Sequence, residues 1–130
     1  MKIMVCYDGS EASKHAIDLA RNRAKQLDAK IFLLTSMVGG SDERAEDIKT
    51  AESYLAKIQS QLEDEQIPCE THLLIRGLSA GEDLVQFALE NKMNQIFIGI
   101  QKKSKVGKLL FGSTAQYVIL EAHCPVITVK

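Results

Sequence analysis

The segment Ile3-Met4-Val5-Cys6-Tyr7-Asp8-Gly9-Ser10 places a short apolar, β-rich run directly before a turn. The run Ile3 to Tyr7 is too short for a helix and predicts a strand. Asp8-Gly9 predicts the turn that ends it. Ser10 can cap a helix that follows, and Glu11 would complement the dipole in its first turn. The segment therefore predicts a strand, a turn and a helix start in immediate succession.

The same alternation of strand and helix continues to the end of the chain. The further predicted strands are Ile31–Leu34, Cys69–Ile75, Gln95–Ile98 and Val126–Val129. The three later helices are predicted to open near Ser41, Ser79 and Gly112. Strands that alternate with helices are typical of a mostly parallel sheet covered by helices. The prediction is an α/β fold in a single domain that spans residues 1–130.

Apolar residues three and four positions apart predict the buried face of the first helix. They are Ala12, Ala16, Leu19, Ala20, Ala24 and Leu27. Most of them are small, so this helix is expected to lie close to the sheet.

Composition and charge exclude several classes of protein. The net charge is −1, with 45% hydrophobic and 25% charged residues, which is ordinary for a globular protein and favours no nucleic-acid partner. Cys6, Cys69 and Cys124 are odd in number and widely spaced, so neither a disulfide framework nor a zinc site is expected. No apolar stretch approaches the length of a membrane span or of a signal-peptide core. A cytoplasmic location without membrane contact is expected.

In open α/β sheets, ligands bind outside the carboxyl ends of the strands, so the residues that follow each strand are the candidates for a site. They are Asp8, Ser36, Gly77, Gly99 and the segment up to Thr114. That segment carries a cluster of four lysines, which are Lys102, Lys103, Lys105 and Lys108.

Gly112, Ser113 and Thr114 follow the lysine cluster at a helix start. Free N–H groups at a helix start favour a phosphate. A solvated lysine-rich loop followed by a routine helix cap is the alternative interpretation.

Asp8-Gly9-Ser10, Gly77 and the stretch from Gly99 to Ser113 resemble the universal stress protein family, and the resemblance covers essentially the whole chain. The nucleotide signature of that family is Gly, two residues, Gly, nine residues, then Gly-Ser or Gly-Thr. Gly99, Gly112 and Ser113 occupy three of its positions, and Lys102 stands at the remaining one. The ending Ala122–Val129, with Pro125 before the last strand, is also similar to the family's ending.

This resemblance implies a Rossmann-like, adenine nucleotide alpha hydrolase-like fold. Its three layers would be an open, twisted, five-stranded parallel sheet of order 3-2-1-4-5 with two helices on each face. Asp8 and Gly99 would then face each other across the crevice where the strand order reverses.

By the same resemblance, Asp8 and Ser36 would lie near the adenine and ribose, and Gly99 would lie near the ribose and α-phosphate. The phosphates would be held by Gly112, Ser113 and Thr114. Ile100 and Lys102 complete the implied nucleotide-binding set.

The implied ligand is ATP, ADP or AMP. A Mg²⁺ ion could accompany the nucleotide, and no residue of the protein is assigned to coordinate it. Lys102 leaves two interpretations open. Its long side chain could fill the space of a phosphate where the family prefers glycine, or its ammonium could pair with that phosphate.

The resemblance, taken together with these residues, implies three possible functions. The first is a stress-response regulator that binds an adenine nucleotide, forms a homodimer and acts on a protein partner that the sequence does not identify. The second is a nucleotide-free dimeric scaffold, paired through the predicted edge strand Val126, Ile127, Thr128 and Val129. The third and least favoured is a slow ATPase, because no catalytic residue is assigned and the isolated His15, His72 and His123 are not interpreted as catalysts.

Overall fold

The computed structural model of the chain describes residues 1–37, 44–75, 78–100 and 112–130. Strands and helices alternate throughout this part of the chain. The strands are β1 Lys2–Cys6, β2 Lys30–Ser36, β3 Cys69–Leu74, β4 Gln95–Gly99 and β5 Val126–Val129. The helices are α1 Glu11–Leu27, α2 Arg44–Asp64, α3 Ala80–Glu90 and α4 Ser113–Glu121. Every predicted strand is present, with its ends within two residues of the prediction.

The five strands form one parallel sheet in the order β3-β2-β1-β4-β5. Helices α1 and α2 pack on one face of this sheet, and α3 and α4 pack on the other. The predicted Rossmann-like fold, with its sheet order and its two helices on each face, is confirmed. The strand order reverses at β1, so the ends of β1 and β4 lie side by side and leave a crevice beyond them.

Alternate residues of β1 supply two separate hydrophobic cores. Ile3 and Val5 face α1 and α2, whereas Met4 and Cys6 face α3 and α4. All four are buried because helices cover both faces of the sheet. This explains why the run in the sequence is continuously apolar instead of alternating with polar residues.

Helix α1 lies against the sheet through its small residues, as predicted, but its buried face is rotated from the predicted one. Ala16, Ala20 and Ala24 are almost completely buried, and Ile17 is buried beside them. Leu19 is 48% exposed and Leu27 is 42% exposed, so the prediction that they belong to the buried face was wrong. Leu19 lies at the edge of the buried arc of the helix, and Leu27 is its last residue.

The helices differ in how their first turns are capped. The Ser10 hydroxyl accepts a hydrogen bond from the Ser13 N–H at 3.1 Å at the start of α1, as predicted. Ser79 caps α3 in the same way through the Glu82 N–H at 3.3 Å. Helix α4 begins after Gly112, and no side-chain hydrogen bond caps it among the residues that the structure describes.

Within the described ranges, no helix combines the length and the apolar character that crossing a membrane requires. The cytoplasmic location stays a prediction.

Candidate functional site

A cavity of about 360 Å³ opens at the carboxyl ends of β1, β2 and β4. Its volume lies within the range of small-molecule binding sites in proteins. The lining comes from three strand ends and from the first turns of α1, α3 and α4. It consists of Cys6, Tyr7, Asp8, Ser13, Leu34, Ser36, Ala80, Leu84, Ile98, Gly99, Gly112, Ser113, Thr114 and Ala115.

Most of the residues selected from the sequence meet in this cavity. Those that line it are Asp8, Ser36, Gly99, Gly112, Ser113 and Thr114. Ile100 does not line it: this residue is buried, and its N–H donates to the Val129 carbonyl at 2.7 Å, which continues the ladder between β4 and β5. Lys102 and the other three lysines of the cluster, together with Gly77, lie outside the described residues.

Helix α4 presents hydrogen-bond donors to one end of the cavity. The first N–H groups of any helix lack a partner within the helix, and the helix dipole adds a partial positive charge there. Gly112 precedes α4 in the extended conformation of a cap residue, with φ −57° and ψ 156°. Ser113, Thr114 and Ala115 at this start all line the cavity. This end of the cavity is therefore suited to an anion.

Asp8 places a negative charge in the cavity, just beyond the end of β1. Its Oδ1 accepts a hydrogen bond from the Ser10 N–H at 2.9 Å, and its own N–H donates to the Ser13 hydroxyl at 3.4 Å. Burial by itself raises the pKa of Asp8, but the hydrogen bonds from Ser10 and Ser13 outweigh it, so the pKa lies below its ordinary value. Asp8 is thus a carboxylate at neutral pH and can only accept hydrogen bonds.

Gly99 brings β4 into direct contact with the start of α1. A Cβ atom added to Gly99 would stand 2.6 Å from the backbone carbonyl carbon of Ala12 and 2.6 Å from the backbone nitrogen of Ser13. Within this chain, then, the missing side chain makes room for α1. Around Gly112, by contrast, an added Cβ atom would meet no atom of the described ranges within 4 Å.

Apolar side chains that the sequence analysis did not select form much of the remaining lining. Leu34, Leu84 and Ile98 belong to the core between the sheet and α3 and α4, and their edges reach the cavity. Their positions could have identified them. Leu34 and Ile98 lie near the ends of β2 and β4, and Leu84 lies near the start of α3, at the same edge of the sheet. They provide a surface on which a flat, apolar ring system can pack.

The Cys6 thiol also lines the cavity but is not a candidate nucleophile. Burial, followed by the nearby charge of Asp8, raises its pKa to about 12. The reactive thiolate form is therefore negligible at neutral pH.

The sequence analysis did not select Asp83 as a candidate site residue. It lies in the first turn of α3, is fully buried, and accepts a hydrogen bond from the Ser36 hydroxyl, with Oγ 3.2 Å from Oδ2. An acidic residue in the first turn of a helix is common and normally solvated, so its position carried no signal for burial. Only the apolar neighbours on the same helix, Leu84 and Phe87, indicate that this face turns inward.

Comparison with known proteins gives a consistent picture. The Universal stress protein family matches residues 1–130. The chain is 34% identical to Universal stress protein MJ0531 of Methanocaldococcus jannaschii, an alignment that covers 99% of this chain and 81% of that protein. It is 37% identical to a universal stress protein from Archaeoglobus fulgidus, with a TM-score of 0.89 and coverage of 100% of this chain and 98% of that one.

A structure of the universal stress protein from Archaeoglobus fulgidus in complex with dAMP is also similar. It is 33% identical, has a TM-score of 0.83 and covers 100% of this chain and 98% of that chain. The family match over the full sequence, together with the identity to these relatives, shows that the chain belongs to the universal stress protein family.

Proposed function

We propose that this protein binds an adenine nucleotide in the cavity at the carboxyl edge of its sheet and acts as a regulator in a stress response. One observation carries the proposal. Residues from β1, β2, β4 and the start of α4, selected from the sequence as nucleotide-binding candidates, converge on a single cavity of suitable size. The dAMP complex of the Archaeoglobus fulgidus protein, 33% identical over the whole chain, supports the same class of ligand.

The polarity of the cavity supports this ligand and its orientation. The start of α4, with Ser113 and Thr114, offers donors for phosphates. Asp8 and Ser36, on the far strands, offer oxygen atoms to the ribose and base, beside the apolar surface of Leu84. ATP, ADP and AMP share these features. Mg²⁺, which prefers phosphate oxygens and water to an all-protein cage, would enter with the phosphates of ATP.

We assign the protein a nucleotide-binding role and do not assign it ATP hydrolysis as its main activity. Hydrolysis of ATP needs a positioned base or an activated nucleophile. The three histidines make their hydrogen bonds away from the cavity: His15 to the Lys130 carbonyl, His72 to Glu70, and His123 to the Met93 carbonyl. Binding without hydrolysis suits a regulator whose nucleotide-bound form is recognised by a partner protein.

The proposal includes a homodimer formed through β5. This strand lies at the edge of the sheet, where unpaired backbone groups form a template for another strand. Thr128 is exposed, and Val126 and Ile127 are half-buried, so much of the strand surface remains accessible. Val129 is buried in its own core and would contribute through its backbone. If this edge does pair, but no nucleotide binds, the protein is a dimeric scaffold.

Isothermal titration calorimetry on nucleotide-stripped protein tests the proposal. Titration with AMP, ADP and ATP, each with and without Mg²⁺, should give saturable heat at one site per chain. Mass spectrometry of the compounds that co-purify would identify the ligand bound in cells. Absence of heat with all three nucleotides at millimolar concentration would reject the binding function and leave the scaffold.

A further inference from the structure

A buried aspartate lies behind the cavity wall at the end of β2. Asp83 is fully buried, and its Oδ2 lies 3.2 Å from the Ser36 Oγ. Its Oδ1 is also buried and has no hydrogen-bond partner in the part of the chain that the structure describes. An apolar side chain would fill this position without the desolvation of a carboxylate, so stability alone does not account for an aspartate here.

The pair determines the direction of the Ser36 hydroxyl. Ser36 is the donor of this hydrogen bond and Asp83 Oδ2 is the acceptor, so the single hydroxyl proton of Ser36 points toward Asp83. Ser36 also lines the cavity, and its oxygen keeps lone pairs but has no further proton to donate. Asp8, a second polar side chain of the cavity, is a carboxylate at neutral pH and likewise only accepts. These two side chains, at the ends of β1 and β2, therefore require donors from a ligand.

Ser36 lies at the end of the cavity that suits a base. The sheet order places β2 two strands away from β4, or roughly 10 Å at the usual strand spacing. The anion-binding start of α4 follows β4 in the chain, on the other side of the crevice. Ser36 is instead near the apolar Leu34 and Leu84, against which a purine ring can pack.

We infer that Asp83 is a positioning residue that holds Ser36 as a hydrogen-bond acceptor and thereby selects purines with a 6-amino group over 6-oxo purines. The inference rests on the proposed binding of an adenine nucleotide in this cavity. The amino group of adenine can donate to the Ser36 oxygen. The carbonyl of hypoxanthine at the same position would set two acceptors against each other with no proton between them.

Calorimetric titration with AMP and IMP tests the inference, because the two ligands share ribose and phosphate and differ only in the purine. Adenine has an amino group at position 6 and an unprotonated N1, whereas hypoxanthine has a carbonyl at position 6 and an N1–H. The unmodified protein should bind AMP about tenfold more tightly than IMP. Ser36→Ala should reduce this preference to within about twofold, mainly by weakening AMP. Asp83→Asn should also reduce it, because an amide N–H can donate to Ser36 and release the hydroxyl proton toward the cavity.

Ser113→Ala is the matched control, since it removes a hydroxyl from the phosphate end. It should weaken AMP and IMP by the same factor and leave their ratio unchanged. If Ser36 contacts only the ribose or serves only the fold, Ser36→Ala should lose AMP and IMP affinity equally. That result would overturn the inference but would leave the proposed nucleotide binding intact. Equal affinity of the unmodified protein for AMP and IMP would overturn it as well.

If neither AMP nor IMP binds, the proposed function and this inference fail together. Thermal unfolding of each variant checks that it is folded. Should Asp83→Asn not fold, Ser36→Ala decides the question alone, because it removes a single oxygen from a half-buried side chain.

Discussion

Gly99 at the end of β4 and Ser13 in the first turn of α1 are in backbone contact, so close that a Cβ atom on Gly99 would stand 2.6 Å from the Ser13 nitrogen. The contact joins the two segments that flank the crevice. It also explains why β4 ends in a glycine whose backbone angles do not themselves demand one.

Replacement of Gly99 by alanine should destabilise the fold. The methyl group meets backbone atoms of α1, which cannot rotate away, so the free energy of unfolding should fall by about 2 to 3 kcal/mol. Urea denaturation followed by circular dichroism measures this loss. Gly112→Ala is the matched control and should cost less than about 1 kcal/mol, because no atom of the described residues lies within 4 Å of its added methyl group and only the weaker N-cap propensity of alanine acts. Equal stability of the two variants would contradict the contact.

Gly112→Asp should separate stability from binding. An aspartate at the cap position can accept from the N–H groups of α4, so the free energy of unfolding should rise by a few tenths of a kcal/mol. The same carboxylate would occupy and repel the phosphate site, so ATP binding should fall at least tenfold. Gly112→Asn, which caps without a charge, should lose much less affinity. Calorimetry with ATP gives the result, and unchanged affinity in Gly112→Asp would place the phosphates elsewhere.

The pH dependence of stability should reveal the state of Asp8. Its pKa is lower in the folded protein than its ordinary value, so its hydrogen bonds stabilise the fold fully above about pH 4 and are lost as the pH falls through the folded-state pKa. The difference in unfolding free energy between the unmodified protein and Asp8→Asn should therefore stay constant from pH 8 to pH 5 and shrink below. Urea denaturation at each pH tests this. A difference that already declines between pH 7 and pH 6 would contradict it.

Thr128→Pro should prevent dimerisation without disturbing the monomer. The carbonyls of Pro125 and Val129 accept from β4, so by alternation along β5 the Thr128 N–H points away from the sheet. Proline removes that outward donor and leaves the ladder with β4 intact. Light scattering should give twice the 14.4 kDa chain mass for the unmodified protein and for Thr128→Val, and the single mass for Thr128→Pro. A dimer that persists in Thr128→Pro would use another surface.

The strands and helix starts were predictable because their signals are local. A buried parallel strand such as β1 is a continuous apolar run, and caps such as Ser10 and Ser79 mark helix starts within a few residues. The convergence of the strand ends on one cavity then follows from parallel topology.

The features that were missed depend on contacts between distant segments. The burial of Asp83 results from the packing of α3 beside the end of β2, and its role depends on Ser36. The rotation of α1 that exposes Leu19 results from how closely its alanines approach the sheet. Neither packing arrangement is encoded in the spacing of residues along one element.

The alternation of β1 between two cores limits how this binding edge can change during evolution. Because Val5 and Cys6 point to opposite faces, a single inserted or deleted residue in this strand would exchange the contents of both cores and displace Asp8. New ligand preferences must therefore arise by replacement of one side chain at a time around an unaltered scaffold. Length variation among relatives is expected to accumulate in the connections between elements instead.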